Sequence, residues 1–437
     1  MKFRHLLRCG ASAAQSSYFQ YASFAAFSAP RIWRFSQNLY ISAIYDSAVV
    51  PRHVEYTVFM KLNRAPRTAS AKNIPVGTAP PYETLPAVKV KNEVVYVRKG
   101  VNLPFRVEMG KSCDLGLFLT QNPDPSEQTF PMGVMTQHAR SGLVGRVVFS
   151  DTDGRMWRDI NLKGVGGSQV RQNGKRVDTA DVRGVTGDAP HGLCDWGYAE
   201  TDREKSEYFL KRGMRTHLVP FIIKLKEIIL TGGEKVSIAE ARRRGILAKD
   251  VIPVIEARAF RTQARIINAF DKALLDDAIQ LVAEELGIPT EKFSPEAYLE
   301  WFANEFGRQL AILHNSEHSH RYLTTHNVTL ACEITDLDSV GRIPRGDDGS
   351  HMLETDLLQA ESALRELYHA MASRYSETLI GSAETNLGFV QSYVQNLKEP
   401  VLQRGRYDRY VRRIEHRCRM YDLPAPAPLG EGKKNKE

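Results

Sequence analysis

Disulfides and zinc clusters have little basis in this chain. Its five cysteines (Cys9, Cys113, Cys194, Cys332 and Cys418) are scattered among 437 residues, odd in number and without a C-x-x-C pair. No apolar run is long enough to cross a membrane, so no membrane span is expected. There is no internal repeat. Acidic residues are missing altogether from positions 1–45, where Lys2, Arg4, Arg8, Arg31 and Arg34 stand among serines, alanines and aromatics. That composition is similar to an organelle transit peptide, and equally to a poorly ordered or non-native extension. It leaves a cytoplasmic and a mitochondrial location both open. A compact apolar core followed by a small-residue cleavage site is also lacking, which disfavours a secretory signal. Residues 64–87, rich in Pro, Ala and Thr, extend this basic stretch as a linker. The tail 424–437, rich in Pro, Gly and Lys, is expected to be disordered.

What is present reads as an ordinary globular body. The formal net charge of +8 suits an anionic ligand such as a nucleotide without establishing nucleic-acid binding. A basic run from Arg404 through Arg406, Arg409, Arg412, Arg413 and Arg417 to Arg419 reads as a solvated helix face rather than an RNA-binding surface. Strands are expected at Val88–Val97 and Asp114–Leu119. The clearest hairpin joins Leu143–Ser150 to Met156–Lys163 through Asp151-Thr-Asp-Gly154. The Gly- and Arg-rich stretch 164–200 reads as a long loop, either functional or disordered. Helical spacing returns near Asp202 and stops at Gly213. Further helices are expected over Thr216–Ile229, up to Leu286, from Ser294-Pro295 to Leu313, and over Thr355–Tyr375 and Glu384–Tyr421. The result is a β-rich N-lobe at 88–235 and a helical C-lobe at 236–423. Together they predict an α+β, two-lobed, protein-kinase-like fold.

The chemistry lies in the order of a few polar residues. A polar loop ending at Asn327 is followed by a short apolar run, Val328–Ile334, and then by Asp336 and Asp338. An Asn and an Asp nine residues apart can meet across a tight hairpin and hold a hard cation between oxygens. Upstream, Lys163 closes a strand, so its stem can reach phosphate oxygens in a cleft. Glu207, on the next helix, is expected to orient it.

This ordered set resembles the selenoprotein O family, kinase-fold proteins that transfer AMP to protein hydroxyls. The resemblance covers residues 138–340 or so. It rests on Leu162-Lys163-Gly164, Ser206-Glu207-Tyr208 with Gly213 and Thr216, Arg258 and Arg265, and His320–Asn327 with Asp336. It implies ATP and Mg²⁺, or Mn²⁺ in its place, as cofactors, and hydroxyl-bearing proteins as substrates. Arg140, Lys163, Gly164, Asn173, Gly174, Glu207, Arg258 and Arg265 would hold the nucleotide, and Asn327 and Asp336 the metal. The chain departs from the family at His326, where the family places the Asp that is its presumed general base. A histidine there can accept a proton near neutral pH, or it marks a silent nucleotide-binding relative. A kinase moving the γ-phosphate is the third reading. No Cys stands near the C-terminus to supply the redox tail of some family members.

Overall fold

The computed structural model describes residues 83–121, 123–134, 141–167, 192–230, 233–375, 379–398, 401 and 406–424. The basic extension, most of the linker and the C-terminal tail lie outside these, as do Arg140, Asn173 and Gly174. The first strand, β1 (Glu83–Lys89), begins within the stretch that composition gives to the linker.

The chain then runs through β2 (Asn92–Val97), β3 (Leu117–Leu119), β4 (Thr129–Val134), β5 (Ser141–Ser150) and β6 (Met156–Lys163). The expected hairpin is β5–β6. At its turn the Asp151 carboxylate accepts hydrogen bonds from the amides of Asp153 and Arg155, both at 3.0 Å, and Gly154 takes a φ of 76°. After β7 (Cys194–Asp195) comes α1 (Trp196–Leu210), capped by the Asp195 carboxylate, which accepts from the Gly197 amide.

Residues 216–229 correct the reading: they form strands β8 (Leu218–Leu225) and β9 (Glu227–Ile229), not a helix. Leu218-Val-Pro-Phe-Ile-Ile-Lys-Leu225 is buried at every position but Lys224. An apolar run that short has no periodicity to tell strand from helix. β-branched and aromatic content, with neighbours on both edges, decides for strand. Pro220 sits where the β8 register slips opposite Ala257–Ala259, a bulge that does without its missing N–H.

β10 (Lys235–Ser237) and a short helix, α2 (Ile238–Arg243), lead to β11 (Pro253–Phe260), buried at all eight positions. The antiparallel sheet has the order β2-β8-β11-β6-β5-β4-β1-β3, with β7 added to β11. Because β11 lies between β8 and β6, the sheet lobe continues past residue 235 to about Phe260. The stretch Val251–Phe270 thus contributes an interior strand of the sheet.

From there the chain is helical: α3 (Lys272–Leu286), α4 (Pro295–Asn315), α5 (Asp347–Tyr375), α6 (Ser382–Asn396) and α7 (Asp408–Met420). Gly287, at φ 68°, ends α3, and Ser294 caps α4 before Pro295. The single helix expected over 384–421 is two, α6 and α7. One apolar core lies around the sheet with Trp157, Ile160, Leu162, Phe221 and Ile223. The other fills the helical part with Phe302, Phe306, Leu310, Leu364 and Tyr393. At about 1.5–3 kcal/mol per large apolar side chain buried, two such cores make two lobes. The fold is α+β and two-lobed, in protein-kinase-like order. No helix among the described residues is long and apolar enough to cross a membrane.

Candidate functional site

Strand register assembles one wall of the site. β11 pairs Glu256 with Lys163 and Arg258 with Asn161, while β5 pairs Ser141 with Lys163. Alternate residues of a strand share a face, so Asn161, Lys163, Glu256 and Arg258 point the same way. Arg258, 1% exposed, donates to Asn161 Oδ1 at 3.0 Å and to Ser141 Oγ at 3.4 Å. Gly164 follows at φ 98°, where an added Cβ would strike the Val254 carbonyl and the Cys194 side chain.

The opposite wall is the loop between β12 (His318–Ser319) and β13 (Gly341–Arg342). Asp356 of α5 anchors it: its carboxylate accepts the His320 amide at 2.7 Å and the Arg321 amide at 2.8 Å. The expected hairpin closes through a bridge between Val328 and Ile334, and the Thr335 amide donates to the Asn327 carbonyl at 2.9 Å. Asp336 then turns into the left-handed region (φ 56°, ψ 52°).

The two walls meet at Asp336. Its carboxylate accepts from Arg258 Nη1, stands 3.5 Å from Lys163 Nζ and 3.3 Å from Arg265 Nη1. Lys163 also faces Asp338 at 3.3 Å and, at 4.0 Å, both Asp202 and Glu256. Burial alone would raise the Asp336 carboxyl, but Lys163, Arg258 and Arg265 outweigh it and hold the group well below the usual carboxylate range. Burial would likewise lower Lys163, yet Asp338, Asp336 and Asp202 raise it, so the ammonium stays charged. Glu256 differs: burial, reinforced by Asp202, lifts its carboxyl well above the ordinary range despite Lys163 and Arg258.

Of the residues expected here, Lys163, Arg258, Arg265, Asn327, Asp336 and His326 come together. Arg265 Nη1 donates to the His326 carbonyl and lies 3.4 Å from Asn327 Oδ1. Asn327 and Asp336 are hard oxygen donors of the kind magnesium takes. They fit that ion in chemistry, although the Arg265 guanidinium now stands between them. His326 is partly buried, and burial and Arg265 lower its imidazole against the opposing pull of Asp336.

Glu207 is the correction. It accepts from the Tyr96 hydroxyl at 2.8 Å and pairs with Arg98 at 3.0 Å and Arg203 at 3.5 Å, tying α1 to the edge strand β2. The carboxylate of α1 that faces Lys163 is Asp202. Five residues apart, the two project roughly 140° away from each other around the helix, so both cannot face the lysine. Asp202, Asn161 and Glu256 are the site members that sequence reasoning passed over, while Asp338, noted beside Asp336, was given no part in the site. Glu256 and Asn161 could have been found by pairing strands through Lys163 and Arg258, had β11 been recognised as a strand.

No protein-family model matches the chain, and no curated protein matches it. Among solved structures, a Toxoplasma gondii rhoptry antigen kinase domain is similar at 10% identity and a TM-score of 0.30, covering 71% of this chain and 87% of that one. A second Toxoplasma gondii protein, described as a virulence factor with a protein-kinase fold and no enzymatic activity, has the same identity and score, covering 76% and 87%. The kinase-like layout given above rests on the chain's own elements.

Proposed function

We propose that this chain is a protein adenylyltransferase, moving AMP from ATP to Ser, Thr or Tyr hydroxyls of other proteins. The observation that carries the reading is the convergence of Lys163, Arg258 and Arg265 on Asp336. Three cations held by strand register and a short loop form a preorganised receptor for phosphate charge, the largest contribution such a site can make. Magnesium, held by Asn327 and Asp336 when bound, would neutralise phosphate oxygens. Lys163 and the two arginines would stabilise charge that develops at the α-phosphorus. As the substrate oxygen attacks, the bond to pyrophosphate breaks, and the hydroxyl proton passes to the neutral imidazole of His326.

A silent nucleotide-binding protein is the second reading. It is favoured by His326 in place of a carboxylate and by Arg265 lying between Asn327 Oδ1 and Asp336.

ATP analogues separate the readings. With the α,β bridging oxygen replaced by methylene, adenylyl transfer cannot proceed, whereas γ-phosphoryl transfer can. The proposal expects intact-mass adducts of AMP from ATP and from the β,γ-methylene analogue, and none from the α,β one. Phosphate adducts from the α,β analogue would make the protein a kinase. Nucleotide binding without any adduct would make it silent.

A further inference from the structure

A second cluster lies beside Lys163 and is not used by the reaction above. Asp202 of α1, His217 just before β8 and Glu256 of β11 are all 0% exposed, and one ligand atom from each lies within 4.8 Å of the others. Both oxygens of Asp202, both of Glu256 and Nε2 of His217 are buried without a hydrogen bond. Leaving so many polar atoms unsatisfied is costly, and more so where they are charged. Lys163 does not relieve them: at 4.0 Å from Asp202 and Glu256 its ammonium is beyond hydrogen-bond reach. Arg258 is equally distant from Asp202.

The histidine tautomer sharpens the point. Thr216 Oγ1 donates its proton to the Ile334 carbonyl at 2.5 Å, so towards His217 Nδ1, 3.4 Å away, it can only accept. A proton on Nδ1 leaves Nε2, 3.1 Å from Asp202 Oδ2, free to ligate. Either a proton on Nε2 or a metal ion satisfies that pair, and the two unpartnered Glu256 oxygens beside it favour the metal. The hydroxyl behind Nδ1 is the kind of outer contact that orients a ligating histidine.

We propose that Asp202, His217 and Glu256 form a buried site for a divalent transition ion of the zinc class, distinct from the Asn327–Asp336 oxygens. One imidazole and two carboxylates are a three-ligand set that leaves a fourth position open. Ligand atoms around tetrahedral zinc stand roughly 3.4 Å apart at its usual bond lengths, so the cluster closes on the ion through small side-chain rotations. Ligand groups must be free of protons to bind an ion, so affinity falls as pH falls. An ion here would fix α1 against β8 and β11 and hold the carboxylates beside Lys163 in place.

The test is zinc binding by the full chain without nucleotide. After equilibration with Zn²⁺ and removal of the excess against millimolar Mg²⁺, the proposal expects one retained zinc per chain by elemental mass spectrometry. His217→Ala and Glu256→Gln should each weaken that affinity by roughly tenfold or more, while Asp336→Asn keeps it. X-ray absorption at the zinc edge of the unmutated protein guards against variants that fail to fold. It should show a single imidazole in a nitrogen and oxygen shell. No retained zinc, a shell lacking imidazole, or equal binding by a folded His217→Ala would overturn the proposal. The cluster would then be a buried polar network that holds no metal.

Discussion

Each residue of the Asp336 cluster is positioned by neighbours that can be named, so its replacement has a definite expected effect. Arg258 is buried and bonded to Asp336, Asn161 and Ser141. Arg258→Ala leaves Asp336 and Asn161 without that partner and should destabilise the fold by about 3–5 kcal/mol, as breaking a buried ion pair does. Arg265 is nearly as buried, but its contacts are to loop atoms that a nucleotide or metal would also engage. Arg265→Ala should therefore lose most turnover with the smaller fall in melting temperature. Calorimetry beside transfer rates distinguishes the two; the opposite ranking would contradict this division. His326 gives a pH signature. Its imidazole is lowered by burial and Arg265, so it is neutral and able to accept a proton at pH 7. Activity should be flat above neutrality and fall only below a midpoint under the ordinary value of about 6.5. His326→Ala should lose most activity across that range, and His326→Asp should retain it. Full activity of a folded His326→Ala at every pH would remove the base.

At the level of elements, the loop between β12 and β13 is held by Asp356 from α5. Burial would raise this carboxyl, but the hydrogen bond and charge of His314, with His320, bring it below the usual range. The sign follows from that direction. Asp356 stabilises the fold fully above its unfolded value, near 3.9, and the contribution is lost as pH falls through its lower folded value. Asp356→Asn replaces one carboxylate oxygen by an amide that cannot accept from the loop. It should lower the melting temperature at pH 7 and narrow the gap to wild type in strong acid. It should also slow transfer more than it weakens ATP affinity, and an equal fall in both would show that the loop does not act through Asp356. Elements were legible where local chemistry is strong: the Asp151–Gly154 turn, the Ser294-Pro295 start, and the Gly287 stop. β8 and β11 were not, because strands buried on both faces carry no alternation. That same loss hid Glu256, and it left Glu207 as the visible acid on α1 when Asp202, a turn and a half earlier, is the one facing inward.

For the whole molecule, the lobes are joined by more than the site. Arg146 of β5 and Arg158 of β6 converge on Asp277 of α3 at 2.8 and 2.6 Å. Asp277→Ala leaves two mostly buried guanidiniums facing each other. It should lower the melting temperature and weaken ATP binding together, since the sheet wall and the loop wall are then less firmly apposed; unchanged binding would mean that the lobes are set elsewhere. The order of lysine strand, helix, Asn loop and post-hairpin Asp was legible because it depends on sequence order alone. Which side chains touch depends on register, and that required the folded sheet.

The bond at which ATP is broken distinguishes the proposed reaction from its rivals. Incubating the protein and a substrate extract with Mg²⁺ and ATP carrying label at either the α- or the γ-phosphate tests this most directly. The account predicts protein-bound label from the α-phosphate alone, abolished by Asp336→Asn and by Lys163→Met. Label from the γ-phosphate alone, or no label from a protein that binds ATP, would contradict it.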